Sequence, residues 1–196
     1  MLGECGTKRA MAPRPHRSGP RPKKELDEQA LSNLALRYVE RFATTRHKLG
    51  QYLTRKIRER GWNGARPPEP QAIAERFADQ GYIDDAAFAL AKARSLAGRG
   101  YGERRLSDTL RIAGVADEDA AEARDHAGDE AVSAALRFAE RRRIGPFAAK
   151  APADPKARDK ALGAMIRAGH SFALARAIVA LPPGTPVNVE MFTDAL

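Results

Sequence analysis

Apolar residues recur at helical spacing in nine stretches of this chain, separated by glycine-rich or charged joints. Leu31, Leu34, Tyr38 and Phe42 share one face of a first predicted helix that starts near Asp27. Thr44 or Thr45 offers an N-cap for a second, whose stripe is Leu49, Tyr52, Leu53 and Ile57 and whose end is Gly61. A loop over 62–70 leads to a third helix with Ile73, Phe77 and Ala78, ending near Gly81. Asp84-Asp85 is good N-cap chemistry before Phe88, Ala91 and Leu96, and Gly98, Gly100 and Gly102 then break the pattern. A helix with Leu106, Leu110 and Ala113 stops at Gly114, and Asp117 caps a weak, alanine-rich helix through about His126. The next stretch begins near Asp129 and turns Val132, Leu136 and Ala139 inward. A loop from Ile144 to about Lys156 carries Pro146, Pro152 and Pro155. Leu162, Met165 and Ile166 form the eighth helix, ending at Gly169. Ser171 caps the last, with Phe172, Ala175, Ile178 and Val179, before Pro182-Pro183-Gly184.

These stretches repeat. Tyr52–Trp62, Arg105–Val115 and Lys160–His170 are alike, with Ile57, Leu110 and Met165 in matching places. Their glycines Gly61, Gly114 and Gly169 stand 53 and then 55 residues apart. Residues 35–41 (Ala-Leu-Arg-Tyr-Val-Glu-Arg) also resemble residues 135–141 (Ala-Leu-Arg-Phe-Ala-Glu-Arg). A regular period means one structural unit used several times. The expected fold is all-α: three tandem three-helix repeats forming an elongated, curved array. The expected boundaries are a disordered basic tail at 1–25, repeats at 26–83, 84–127 and 128–182, and a C-terminal tail at 183–196.

Composition agrees with helices. Alanine fills 38 of the 196 positions, and aromatics make up only 6%. The formal net charge is +9. Residues 1–25 hold seven Lys or Arg against Glu4 and Glu25, so over half of the excess sits in that tail. A basic balance suits a polyanionic partner, or simply solubility. The single cysteine, Cys5, excludes an internal disulfide framework. No stretch is apolar enough to span a bilayer, and the N-terminus lacks the apolar core of a secretory signal, so the expected setting is the cytoplasm.

Candidate chemistry is sparse. His16, His47, His126 and His170 are far apart and lack metal-ligand spacing. No nucleophile–base arrangement can be assembled, which predicts a non-enzymatic protein without cofactor or metal. Asp84 and Asp85 read as N-capping residues, not an acid/base pair. Gly98, Gly100 and Gly102 fit neither phosphate-loop nor dinucleotide spacing and read as a turn needing positive φ. Arg99, Arg104 and Arg105 surround that turn, as a solvated basic turn or as contacts to an acidic surface. Trp62 and Tyr101 each follow a glycine, and either stack on bases or make the apolar contact common just past a helix end. Basic residues recur in every unit, among them Arg46, Arg55, Lys56, Arg137, Arg141, Arg142 and Arg143. Aligned on one face, they would form a stripe matching a polyanionic groove.

The stretch Gly81-Tyr82-Ile83-Asp84-Asp85, with Phe88, Ala89 and Arg94, then Gly100, Gly102, Arg105 and Leu106, resembles the RecX family of recombination regulators. Two flanking segments are similar with departures. Lys48 stands where the family usually has Glu, which removes the reciprocal bond of a capping box. His170 stands where the family has an aromatic residue. The resemblance covers about residues 28–181. It implies a curved array of three-helix repeats that binds the RecA recombinase filament, blocks its ATP hydrolysis and strand exchange, and limits its growth; the chain is separately expected to act as a monomer. Arg94, Arg99, Tyr101, Arg104 and Arg105, around the basic turn, are the expected partner contacts. The alternative is a direct DNA binder using helix-turn-helix-like pairs or the arm at 8–24. A general helical adaptor is a third reading.

Overall fold

The computed structural model describes residues 24–152 and 154–195. Nearly all of the basic tail expected at 1–25, and Cys5 and His16 with it, lies outside the described residues. Among the described residues there are nine α-helices and no strand. They are α1 (Glu28–Val39), α2 (Arg46–Arg60), α3 (Pro70–Asp79), α4 (Asp85–Gly98), α5 (Glu103–Ala113), α6 (Asp117–Asp129), α7 (Ala131–Arg142), α8 (Pro155–Arg167) and α9 (Phe172–Ala180). Short 3-10 turns occupy Gly145–Phe147 and Glu190–Ala195.

Local sequence explains where the helices begin. The side chains of Asp27, Thr45, Asp84, Asp154 and Ser171 each accept a bond from a backbone amide in the first turn they precede, satisfying a donor that has no intrahelical partner. Pro155 therefore belongs to α8 and not to the preceding loop. A proline at the first helical position loses no bond and has its φ already set. Five of the nine ends follow one recipe. Tyr82, Tyr101, Val115, Ile144 and His170 each donate their amide to a carbonyl five residues back. In every case the residue before them has positive φ: Gly81, Gly100, Gly114, Arg143 and Gly169. This is the Schellman closure, which ties up the last carbonyls and brings the next side chain back onto the helix.

The helices form three cores, each from three successive elements. α1, α2 and α3 enclose Leu31, Ala35, Leu49, Leu53, Ala74 and Phe77, with Leu26 and Ile83. Leu26 reaches this core through backbone bonds to Gly61 and Asn63. The second core is small-residue packing: Ala89 and Ala93 of α4 against Ala120, Ala123 and Ala127 of α6, closed by Leu106 and Leu110 of α5. Alanines at three- and four-residue spacing let α4 and α6 approach closely, so α6 runs past His126 to Asp129. The third core joins Val132, Phe138, Met165, Leu174 and Ile178 from α7, α8 and α9. Phe192, from the 3-10 turn near the C-terminus, is buried in it as well.

Three sequence expectations fail in detail. α1 stops at Val39, so Phe42 lies beyond it and is 49% exposed. Phe172 occupies the first position of α9 and is half exposed, and Ala91 faces solvent on α4.

Candidate functional site

The glycine turn after α4 is the joint between the second and third bundles. The Gly102 amide donates to the Ala168 carbonyl at 3.0 Å, and the Arg104 amide to that of Gly169 at 3.2 Å. His170 Nε2 lies 3.1 Å from the Gly100 carbonyl, so this nitrogen carries the proton. The imidazole rests against Phe138, with ring centroids 5.6 Å apart. Burial holds His170 below the ordinary histidine range, and its bond to Gly100 only partly opposes this. Arg137 completes the joint, donating from Nε to the Ala97 carbonyl while pairing with Glu130.

Two of the glycines do different work. Gly100 has φ +73, as a turn requires. Gly102 has φ −86 and ψ 175, open to any residue. Its lack of a side chain serves a close backbone approach: a Cβ there would lie 2.4 Å from the Gly169 oxygen. Positive φ, the reason expected from sequence, therefore holds for Gly100 and not for Gly102.

On one side of this joint is a cleft of about 450 Å³. Arg99, Tyr101, Phe138, Arg141, Arg142 and Arg167 line it, over a floor of Ala164 and Ala168. The Arg99 guanidinium sits 5.2 Å from the Tyr101 ring centre, and Arg105 5.9 Å from it. Arg141 and Arg142 sit 5.7 and 6.0 Å from the centre of Phe138. Such cation–π contacts orient a guanidinium and leave its charge in place. None of the four lining arginines makes a salt bridge among the described residues.

The five residues singled out from sequence divide here. Arg99 and Tyr101 line the cleft, and Arg105 touches it through the Tyr101 ring. Tyr101 also packs on the third core, the apolar role past a helix end. Trp62 does the same on the first core and donates its ring N–H to the Arg66 carbonyl. Arg104 faces a neighbouring cleft with Glu103, Asp129 and His170. Arg94 is exposed on α4 and lines neither. Sequence reasoning did not single out Arg141, Arg142 and Arg167 as site residues. For Arg141 the signal was the duplicated motif at 135–141, which places it one helical turn after Phe138; Arg142 and Arg167 lie outside that motif.

The joint between the first and second bundles is ionic. Asp84 caps α4, as expected, but Asp85 does not. It is buried and turns to α2, accepting from the Arg46 amide at 3.0 Å and from Arg46 Nε at 3.0 Å. The Arg46 guanidinium also meets Asp119 of α6, with Glu75 of α3 at 3.7 Å. Its bond to Asp85 raises its already high pKa. Thr45 Oγ1 accepts from the Lys48 amide and donates to the Ala113 carbonyl at 2.6 Å, tying α2 to the end of α5.

Among the described residues no cluster of His, Cys, Asp or Glu could hold a metal, and no helix is long and apolar enough to cross a membrane. The geometry defines an all-helical protein of three-helix bundles, joined by dedicated polar contacts and carrying, at one joint, arginines that make no salt bridge among the described residues. A family model described as the second three-helix domain of RecX matches residues 84–123. The regulatory protein RecX of Myxococcus xanthus is 30% identical over 170 residues, spanning 82% of this chain and 90% of that protein. That of Agrobacterium fabrum is 31% identical over 167 residues, with 83% and 88% covered. The crystal structure of RecX from Lactobacillus salivarius shares the fold, with a TM-score of 0.55 at 18% identity over 77% of this chain and 93% of that one. The chain belongs to the RecX family of regulatory proteins.

Proposed function

We propose that this chain binds the filament that the RecA recombinase forms on DNA, and restrains its ATP hydrolysis and strand exchange. One observation carries the reading: a regulatory-family chain presents three joined helical bundles, with arginines at one joint that make no salt bridge among the described residues. Bundles in line, as an elongated and curved array, would offer successive weak contacts to a repeating partner. Several weak contacts on one semi-rigid chain raise effective concentration, so avidity exceeds any single contact. Arg94, Arg99, Tyr101, Arg104 and Arg105 are the contacts assigned to that partner, and no chemistry is asked of them. A ligand bridging neighbouring protomers would oppose the motions that hydrolysis and pairing require. We assign the action to a monomer in the cytoplasm.

The test is a titration of DNA-dependent ATP turnover by RecA. Sub-stoichiometric amounts of this protein lower turnover, at concentrations where naked duplex stays unbound. Unchanged turnover over that range rules the reading out. Binding to naked duplex that weakens steeply with salt, with no effect on turnover, favours a direct DNA binder instead.

A further inference from the structure

We propose that an apolar groove at the first joint docks an acidic segment of a protein partner, with one aromatic or large aliphatic side chain seated in the groove and carboxylates on either side of it. The proposal stands apart from filament binding: none of the contacts assigned to that partner lines this groove.

The groove, of about 330 Å³, lies between the end of α1, the turn before α4 and α4 itself. Ile83 and Phe88 are buried beneath it, and the exposed Ala87 and Ala91 of α4 leave it open. Phe42 and Tyr82 flank it and stay 49% and 55% exposed. Phe42 lies past the end of α1, and Tyr82 in the turn after α3. Exposed aromatics grouped around a concavity mark a binding surface, and a side chain seated among them is the kind of contact that dominates affinity.

Charge selects the occupant. Lys48 Nζ sits 4.8 Å and Lys92 Nζ 5.1 Å from the centre of the Phe88 ring. Burial, and then the charge of Lys92, hold the Lys48 ammonium below its ordinary pKa. At the other end Phe42 also borders a cleft that contains Arg37 and Arg41, and the Arg41 guanidinium is 5.5 Å from the Phe42 ring centre. None of these four cations makes a salt bridge among the described residues. Asp84 lines the groove as well, but its carboxylate already accepts from the Ala87 amide at 2.7 Å as the cap of α4. An apolar centre with cations at both ends matches an apolar residue set between carboxylates.

The wall also holds an unmet polar group. Thr44 is buried in it, and its Oγ1 has no hydrogen-bond partner among the described residues. A buried hydroxyl left unbonded is costly. A main-chain group of an extended segment, reached by rotation about χ1, would satisfy it. A second copy of this chain fits less well. A two-fold contact through this face would set Lys92 and Arg41 against their own counterparts, and like charges so placed repel.

The experiment uses the full chain, with no recombinase present, and a fluorescein-labelled peptide of three aspartates, phenylalanine, leucine and three aspartates. Its anisotropy rises on binding, and the same peptide with serine in place of phenylalanine and leucine binds at least about tenfold more weakly. Ala91→Glu and Lys92→Glu, at exposed positions of α4 that line the groove, each weaken binding by about tenfold or more. Lys92→Arg keeps it. Ala121→Glu makes the same charge change at an exposed position of α6 outside the groove, and stays within about twofold of the wild type. No binding by the wild type, or equal binding of the serine peptide, overturns the proposal. So does an equal loss in Ala121→Glu, because net charge alone would then explain binding. A dimer in sedimentation that Ala91→Glu dissolves overturns it in favour of a second copy. Oligothymidylate binding that Ala91→Glu abolishes, with the peptide unbound, overturns it in favour of a nucleic acid strand.

Discussion

Gly102→Ala isolates the packing of the second joint from backbone conformation. Alanine takes φ −86 and ψ 175 freely, and in the unfolded chain it gives up fewer states. By that argument alone the substitution would stabilise by about 0.4–1 kcal/mol. The added Cβ, however, would sit 2.4 Å from the Gly169 oxygen, 2.5 Å from its carbonyl carbon and 2.7 Å from the His170 nitrogen. All three are backbone atoms, so no rotamer change relieves the clash. The two segments must part by about 1 Å to reach ordinary contact near 3.5 Å. Parting them breaks Gly102 N–H to Ala168 and Arg104 N–H to Gly169, and loosens the buried His170–Gly100 bond. At about 1 kcal/mol for each bond, and more for a donor left buried, the net loss is about 2–4 kcal/mol. For a chain of this size that lowers the melting temperature by roughly 4–16 °C. Hydrogen exchange at the Gly102 and Arg104 amides should accelerate with it. Gly128→Ala is the control. Nothing lies within 4 Å of its Cβ, and it sits inside α6, so the same substitution stabilises by about 1 kcal/mol. A Gly102→Ala protein that melts at or above the wild type, with Gly102 and Arg104 amides still protected, refutes the close-approach argument.

Asp85→Ala leaves the Arg46 amide and guanidinium without their principal partner, and should destabilise by about 2–4 kcal/mol in urea titrations; a loss below about 0.5 kcal/mol, typical of neutral surface substitutions, means the buried carboxylate does not hold the first joint. His170 has a folded-state pKa below its ordinary value of 6.5, so the unfolded chain binds the proton first. Its contribution is therefore constant above about pH 6.5 and is lost as pH falls from there toward the folded value. Denaturation midpoints measured down to about pH 5 should show this slope, and His170→Phe should remove its share; an identical slope in the variant places the titration elsewhere.

Much of the architecture was legible because helix ends are written locally. Asp27, Thr45, Asp84 and Ser171 announce starts within three residues, and glycines at 81, 100, 114 and 169 announce stops. The joints were not legible in the same way. Asp85 and Arg46 are 39 residues apart, and Thr45 and Ala113 are 68 apart. No short window contains both members of either pair. Gly102 looked like one more turn glycine because spacing cannot show whose backbone will face it. The arginines split for a similar reason: Arg99 and Arg105 flank a visible turn, whereas Arg141, Arg142 and Arg167 join them only when α7 and α8 dock. Phe42 misled because the helical period continues past the point where α1 ends.

Helix direction assigns opposite charge to the two joints. The first gathers N-termini: Arg46 opens α2, Asp85 opens α4, and Asp119 lies in the first turn of α6. Carboxylates are favoured there by the helix dipoles, and Arg46, placed against its own dipole, is held by several of them. The second joint's cleft gathers C-termini, where arginines are favoured for the same reason. The difference lies in what each group of charges is left to do. At the first joint the acids and the arginine satisfy one another, and the ionic capacity is spent on holding two bundles together. At the second, backbone bonds around Gly102 and Gly169 hold the bundles, so Arg99, Arg141, Arg142 and Arg167 are not needed for cohesion. A joint closed by glycine leaves its arginines available for a partner.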